Sequence, residues 1–305
     1  MRRVGAVVLV GLVGVAATAA CGARTGLDAP APFEIPSIDA GTHPGPGLDD
    51  CPDAGDTLVY VVTEESNLYS FYPPTAAFTS LGVLACPTPD SDWSPFSMAV
   101  DHKGTASVLC SDQNDGNPNG LLFQVDPATR SCTPLPYVGG QDGFGTFGMG
   151  FVGNADGLTD TLYIASDGSS QLGTLDLSTF LVHDIGNISP SSAQSAELSG
   201  TGDGRLFAFY AIDDGGSSAV GELDPATGVL IANDDLSNLP QVGQGGGGWA
   251  FGFWGGQFYL FTTSTTDPAR CSIGTRFDPN EGSQVPVASL PETIVGAGVS
   301  TCAPQ

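Results

Sequence analysis

Beyond residue 56 the apolar residues fall into short runs separated by Gly, Asp and Pro. The runs are too brief for helices and recur too regularly for loops. One set covers 68–71, 121–125, 172–175, 220–223 and 273–277, and each run leads into a turn. The turns are Tyr72-Pro73-Pro74-Thr75, Asp126-Pro127-Ala128-Thr129, Asp176-Leu177-Ser178-Thr179, Asp224-Pro225-Ala226-Thr227 and Asp278-Pro279-Asn280, at spacings of 54, 50, 48 and 54 residues. Asp suits such a turn because its carboxylate can accept the backbone N–H two residues on, while Pro presets φ for the next position. A second set, at 97–101, 148–152, 197–201, 250–254 and 295–299, stacks without gaps. Its third column is Ala99, Gly150, Ser199, Gly252 and Ala297, all small.

Gly-rich turns and further apolar runs follow the second set, as at 206–210 and 258–261. Each unit of about fifty residues therefore predicts four short antiparallel strands, the pattern of a β-propeller blade. The expected fold is all-β: a propeller of five four-stranded blades, with six as the alternative. The small column fits the innermost strands, because few blades leave a narrow channel. Residues 57 to 87 supply only three strands, and 295–299 supply an inner strand without outer partners. The C-terminal strand is expected to complete the first blade and close the ring.

Composition agrees with that pattern and excludes others. The 305 residues include 43 Gly and 23 Pro, only 13% are charged and 41% are hydrophobic. That rules out a coiled coil, a helical bundle and a charge-rich disordered chain. Eight Lys and Arg against 33 Asp and Glu give a net charge of -25, which repels phosphate backbones. Nucleic acid is excluded as a partner.

The N-terminus has a different character. Met1-Arg2-Arg3 precedes an apolar run from Val4 to Ala20, with no further charge until Arg24, and this reads as a secretory signal peptide. Thr18-Ala19-Ala20-Cys21 resembles a bacterial lipobox, departing from it in the Thr at its first position. The resemblance implies lipidation of Cys21; cleavage after Ala19, giving a free secreted protein, is the alternative. Residues 1–21 are thus the signal peptide with its lipobox, 22–56 a Pro-, Gly- and Asp-rich tether, and 57–305 the propeller. The start at Cys21-Gly22-Ala23-Arg24 is similar to that of many lipoproteins of large-genome soil bacteria. No other segment reaches the roughly 18 apolar residues needed to span a bilayer. Membrane attachment is expected through the lipid alone, at the outer membrane or cell surface, facing the periplasm or the exterior.

Seven cysteines are present: Cys21, Cys51, Cys86, Cys110, Cys132, Cys271 and Cys302. With Cys21 lipidated, an even six remain in an exported chain, so up to three disulfides are expected among fifteen possible pairings. No two lie within four residues of each other, against the close pairs of zinc sites.

As a whole the chain resembles the secreted β-propeller lipoproteins of bacteria and, in architecture, the gluconolactonase and regucalcin-like rings. Enzymes of that kind hold a divalent metal with Glu, Asn and Asp at the channel mouth, a set not matched here. A ligand would meet the face formed by the loops that lead into the inner strands and join the second strands to the third. The candidates there are Glu64, Trp93, Asp142, Glu197 and Trp249, with the loops at 111–120, 213–214 and 244–249 around them. Carboxylates and aromatics on one rim suit a glycan, a peptide or an envelope protein, whereas solvated acidic loops are the plainer reading. Glu197 is the one charged residue in the inner-strand columns, and a carboxylate there needs a partner, a water or a cation.

The remaining patterns carry less. Asn154, Asp156 and Asp160 lack the spacing and closing Glu of a calcium loop and suit a turn. The Gly-rich stretch at 243–248 has no following Lys-Ser/Thr, and His102 and His183 have no adjacent nucleophile. No catalytic residue and no metal ligand is assigned. The leading function is a non-enzymatic binding or scaffolding module without a cofactor. The alternative is a metal-dependent hydrolase or lactonase, with a metal such as calcium near Glu197, and a purely structural envelope component is the third class.

Overall fold

The computed structural model describes residues 51, 58–112, 119–189, 195–212, 217–236, 239, 242 and 247–305. Cys21 and the loop segments at 113–118, 213–214 and 244–246 lie outside them.

Five four-stranded antiparallel sheets are present. Blade 1 combines β20 (Ile294–Val299) with β1 (Val59–Thr63), β2 (Asn67–Tyr72) and β3 (Ala77–Val83). Blade 2 holds β4 (Trp93–Val100), β5 (Ala106–Asp112), β6 (Leu121–Asp126) and β7 (Ser131–Pro134). Blade 3 holds β8 (Phe147–Gly153), β9 (Asp160–Ser166), β10 (Gln171–Asp176) and β11 (Leu181–Asn187). Blade 4 holds β12 (Ala196–Gly200), β13 (Leu206–Ile212), β14 (Ser217–Leu223) and β15 (Leu230–Leu236). Blade 5 holds β16 (Trp249–Trp254), β17 (Gln257–Thr263), β18 (Ser272–Asp278) and β19 (Ser283–Leu290). The five-blade expectation holds, and so does the closure: Val59 pairs with Val299 and Val61 with Ala297.

The turns behave as the Asp pattern requires. Asp126, Asp176, Asp224 and Asp278 each accept the backbone N–H two residues on, at 2.9, 2.7, 2.8 and 2.9 Å. Four residues after each turn start the backbone is left-handed, with positive φ at Ala76, Arg130, Phe180, Gly228 and Gly282. The chain adopts this conformation at the same point of every blade, with glycine at only two of the five.

Burial is divided by blade interfaces. Five hydrophobic clusters lie one between each pair of neighbouring blades; Phe147, Met149 and Ile164 of blade 3, for example, pack with Leu109 and Leu122 of blade 2. Strands near the axis are covered on both faces, so β12 is buried throughout, whereas the outermost β3, β7, β11 and β15 keep exposed residues. In four blades the register slips where the third strand meets the outermost, at Leu68/Tyr69, Leu172/Gly173, Glu222/Leu223 and Gly274/Thr275. Such bulges twist an edge strand away from pairing with another chain.

At the axis the inner strands touch backbone to backbone. A Cβ on Gly148 would stand 2.0 Å from the carbonyl oxygen of Ala196, and one on Gly296 would stand 2.8 Å from the amide nitrogen of Met98. The space bounded by Ala99, Gly150, Ser199 and Ala297 has no room for a water molecule. Within the small column a Cβ on Gly150 would stand 2.9 Å from the backbone of Leu198, and one on Gly252 would stand 2.4 Å from a Val299 methyl group, so both glycines are required by contact with a neighbouring inner strand.

Two disulfides join described residues, Cys51–Cys302 and Cys86–Cys132. Cys110 is a free, buried thiol. Counting cysteines thus does not single out Cys21 as the unpaired one, and the lipidation reading rests on the leader motif.

Candidate functional site

The inner strands all run in the same direction, so the loops that lead into them and the second-to-third strand turns share one face, here called upper. The five candidate residues lie on this face or just beneath it, each in a different setting.

Glu64, in the β1–β2 turn, pairs with Arg270 of the β17–β18 loop at 2.8 Å. Its amide donates to the carbonyl of Thr293 at 2.9 Å, which joins blade 1 to the entry of its own inner strand. Beside it Asn67 and Tyr69 donate to the Glu292 carboxylate at 3.0 and 2.7 Å. Burial, together with that carboxylate, pushes the Tyr69 phenol up to about 12. Trp93 and Trp249 open β4 and β16 and are half-buried. Trp93 packs on the cluster between blades 1 and 2, and Trp249 meets the edge of Phe209 at 5.5 Å. Asp142 is exposed, with positive φ, and its carbonyl accepts from Gln171 at 3.4 Å.

Glu197 differs from the other four. It is the second residue of β12, is 4% exposed, and accepts a 2.8 Å hydrogen bond from the Ser97 hydroxyl of β4. The Ser97 oxygen in turn accepts the backbone N–H of Met149 on β8 at 3.2 Å. One carboxyl and one hydroxyl thus tie the inner strands of blades 2, 3 and 4 together at the upper end of the axis. Burial pushes the Glu197 pKa well above the ordinary glutamate value; the Ser97 bond pulls it partly back, and the charge of Asp167 adds to the rise. Burial thus disfavours the charged form of this carboxyl relative to an exposed glutamate. Of the partner, water or cation that a carboxylate at this position calls for, the structure shows a partner, the Ser97 hydroxyl of another blade.

Asp167, in the β9–β10 turn, accepts from the Ser195 hydroxyl and from Thr146 at 3.4 Å. Ser97, Asp167 and Ser195 were not singled out by the sequence, since isolated Ser and Asp residues near turns carry no pattern of their own. The structure brings Glu197 to Ser97 and into the field of Asp167, while Glu64, Trp93, Asp142 and Trp249 each keep separate partners.

His102 sits in the β4–β5 turn, on the lower face. His102 Nδ1 lies 2.8 Å from Asp160, which also accepts the His102 backbone N–H at 2.7 Å and the Thr301 hydroxyl at 3.0 Å. Asp156 caps its own turn by accepting from Leu158 and Thr159 at 2.9 and 3.0 Å. The stretch at 154–160 is turn chemistry and a latch between blades 2 and 3 and the C-terminus. Among the described residues no group of three or more His, Cys, Asp or Glu side chains is arranged to hold a metal.

No protein-family model matches the chain, and no curated protein matches it in sequence. In fold it is similar to a chain of the nidogen–laminin complex, at 9% identity and a TM-score of 0.49, covering 81% of this chain and 99% of that one. It is also similar to the calcium-binding protein regucalcin of Agrobacterium tumefaciens, at 14% identity and a TM-score of 0.45, covering 80% and 76%. A structure assigned to a gluconolactonase shares 16% identity and a TM-score of 0.40, covering 69% and 68%.

Proposed function

We propose that this chain is an exported lipoprotein, attached through a lipid on Cys21, whose propeller binds or scaffolds a partner without performing chemistry of its own. The observation that carries the reading is the closed axis. The inner strands meet with no room for water between them, and the Glu197 carboxyl at the upper end is held by Ser97. A metal-dependent hydrolase needs carboxylates that can meet a metal or a substrate; here one oxygen of the Glu197 carboxyl is engaged by the Ser97 hydroxyl of another inner strand. Partner recognition then falls to loops and side surfaces, which bring carboxylates, amides and half-buried tryptophans to one face.

The compartment is supported separately. Two disulfides suit an oxidising environment. No helix of the described residues is long and apolar enough to cross a membrane. Cys51, the described residue nearest the leader, is bonded to Cys302 on the lower face. A body held through this end presents its upper face outward, towards a glycan, a peptide or an envelope protein.

The test has two arms. Membranes from cells expressing the wild type should retain the chain with an acyl addition, and Cys21→Ser should release it with its melting profile unchanged. Glycan and peptide arrays probed with the released chain should give a ligand that is left chemically unaltered. A wild-type chain without acyl mass that stays soluble overturns the anchoring, and turnover of a lactone or ester overturns the non-enzymatic reading.

A further inference from the structure

A cleft lies away from the upper rim, between blades 4 and 5 towards the lower face. The cleft has a volume of about 290 Å³, just below the range of drug-sized ligand pockets and enough for a smaller ligand. Its central feature is Arg205, which follows the β12–β13 turn. The guanidinium bonds the Glu222 carboxylate of β14 in a fork, Nε to Oε1 at 2.9 Å and Nη2 to Oε2 at 2.8 Å. It also lies over the ring of Phe207, 4.7 Å from its centroid, and 5.8 Å from that of Phe253. Phe207 and Phe253 are themselves stacked across the blade interface at 4.9 Å.

Two carboxylate bonds and two aromatic contacts hold the guanidinium flat and in place, so little ordering remains to be done when a ligand arrives. The fork uses Nε and one Nη2 hydrogen. Nη1 and the other Nη2 hydrogen are left as donors, while the Glu222 oxygens keep lone pairs as acceptors. The result is a rigid plate with donors and acceptors side by side. Asp234 of β15 and Asn280 of the β18–β19 turn line the same cleft. Burial and the neighbouring Asp235 charge push the Asp234 carboxyl above its ordinary value, so it gains from a hydrogen-bond donor brought by a ligand.

Vicinal hydroxyls are the ligand chemistry that fits such a plate, because each hydroxyl both donates and accepts. The charge balance narrows the class. Arg205 is matched by Glu222, and Asp234 leaves the lining negative, on a chain of net charge -25, so an anionic ligand is repelled. We infer that this inter-blade cleft binds one ring of a neutral or amino sugar, either free or at the end of a glycan. The assignment deepens the binding-module reading by giving it a site and a ligand class.

The test is isothermal titration of the full chain, purified in detergent, with methyl glucoside, methyl mannoside, N-acetylglucosamine, glucosamine and, as the anionic control, glucuronate. At least one neutral or amino sugar is expected to bind with a Kd below about 10 mM, and glucuronate more weakly than any that binds. Asp234→Asn and Arg205→Lys should each weaken binding about tenfold while keeping the wild-type melting profile. A trisaccharide ending in the same ring separates the sources: equal affinity assigns a single ring, tighter binding assigns a glycan terminus, and both sustain the site. The proposal is overturned if none of the neutral or amino sugars binds, if glucuronate binds as well as they do, or if both folded variants bind like the wild type. A glycan or peptide ligand that ignores both variants would remove the cleft and leave the binding-module reading standing.

Discussion

Ser97 and Glu197, a hundred residues apart, share a 2.8 Å hydrogen bond that passes over the intervening blade. Ser97 belongs to blade 2 and Glu197 to blade 4, and the Met149 amide that completes the contact belongs to blade 3. Ser199 repeats the device between blades 4 and 5, its hydroxyl accepting the Phe253 N–H at 3.1 Å. Short polar side chains thus do at the axis what backbone pairing does within a blade. They satisfy buried amides where two strands abut without forming a sheet.

The buried acid makes stability depend on pH. The folded-state pKa of Glu197 is raised, chiefly by burial, while in the unfolded chain it is that of an ordinary Glu. Its contribution is then fully present below the unfolded pKa and is lost as pH rises through the folded one. Urea unfolding across the acid-to-neutral range should show this falling component in the wild type. Glu197→Gln, which keeps the Ser97 bond without an ionisable group, should flatten it and be at least as stable at neutral pH. A variant with the same pH slope as the wild type would locate the effect elsewhere.

Contact at the axis predicts a sharp penalty for added volume. Gly148→Ala places a methyl group 2.0 Å from a backbone carbonyl, which cannot rotate away. Gly150→Leu faces the backbone of Leu198 and Ser199 at 2.9 to 3.0 Å. Each should cost about 1–3 kcal/mol or more. Leu158→Ala, at a position 57% exposed, should stay within about 0.5 kcal/mol of the wild type. Denaturant midpoints compare the three directly.

Ring closure depends on one strand and one disulfide. Cys51–Cys302 joins positions 251 residues apart, next to the pairing of β20 with β1. Cys302→Ser should lower stability by about 2–5 kcal/mol in oxidising buffer. Loss of the difference between variant and wild type under reducing conditions would confirm that the cross-link is responsible. An equal midpoint in oxidising buffer would show that strand pairing alone closes the ring.

Cys110 should be silent in the folded protein. Burial pushes its thiol up to about 12, and only the thiolate reacts. Iodoacetamide mapping by mass spectrometry should leave Cys110 unlabelled in native buffer and label it in urea. Labelling at equal rates in both would mean that the interface between blades 1 and 2 opens readily.

Much of the fold was legible because its causes are local. The Asp turns act within four residues, and the column of Ala99, Gly150, Ser199, Gly252 and Ala297 repeats with the blade. The unmatched strand at the C-terminus announced the closure. The site was less legible because its partners come from different blades. Ser97 reads as an ordinary strand residue until the ring brings β4, β8 and β12 together. Phe207 and Phe253 read as core, which they also are, at 3% and 5% exposure, and only the closed interface shows Arg205 lying over them. Cysteine pairing was likewise hidden, since Cys110 sits in a run of strand residues no different from those around a bonded cysteine.

The central claim, a binding propeller whose axial carboxyl joins strands instead of holding a metal, is tested most directly by metal titration. Purified wild type and Glu197→Gln are compared in denaturant unfolding with and without calcium, zinc and magnesium. The account predicts no stabilisation that depends on Glu197. A gain of about 2.7 kcal/mol at about 100 times the metal's Kd, abolished by Glu197→Gln, would contradict it and place the metal-dependent hydrolase first.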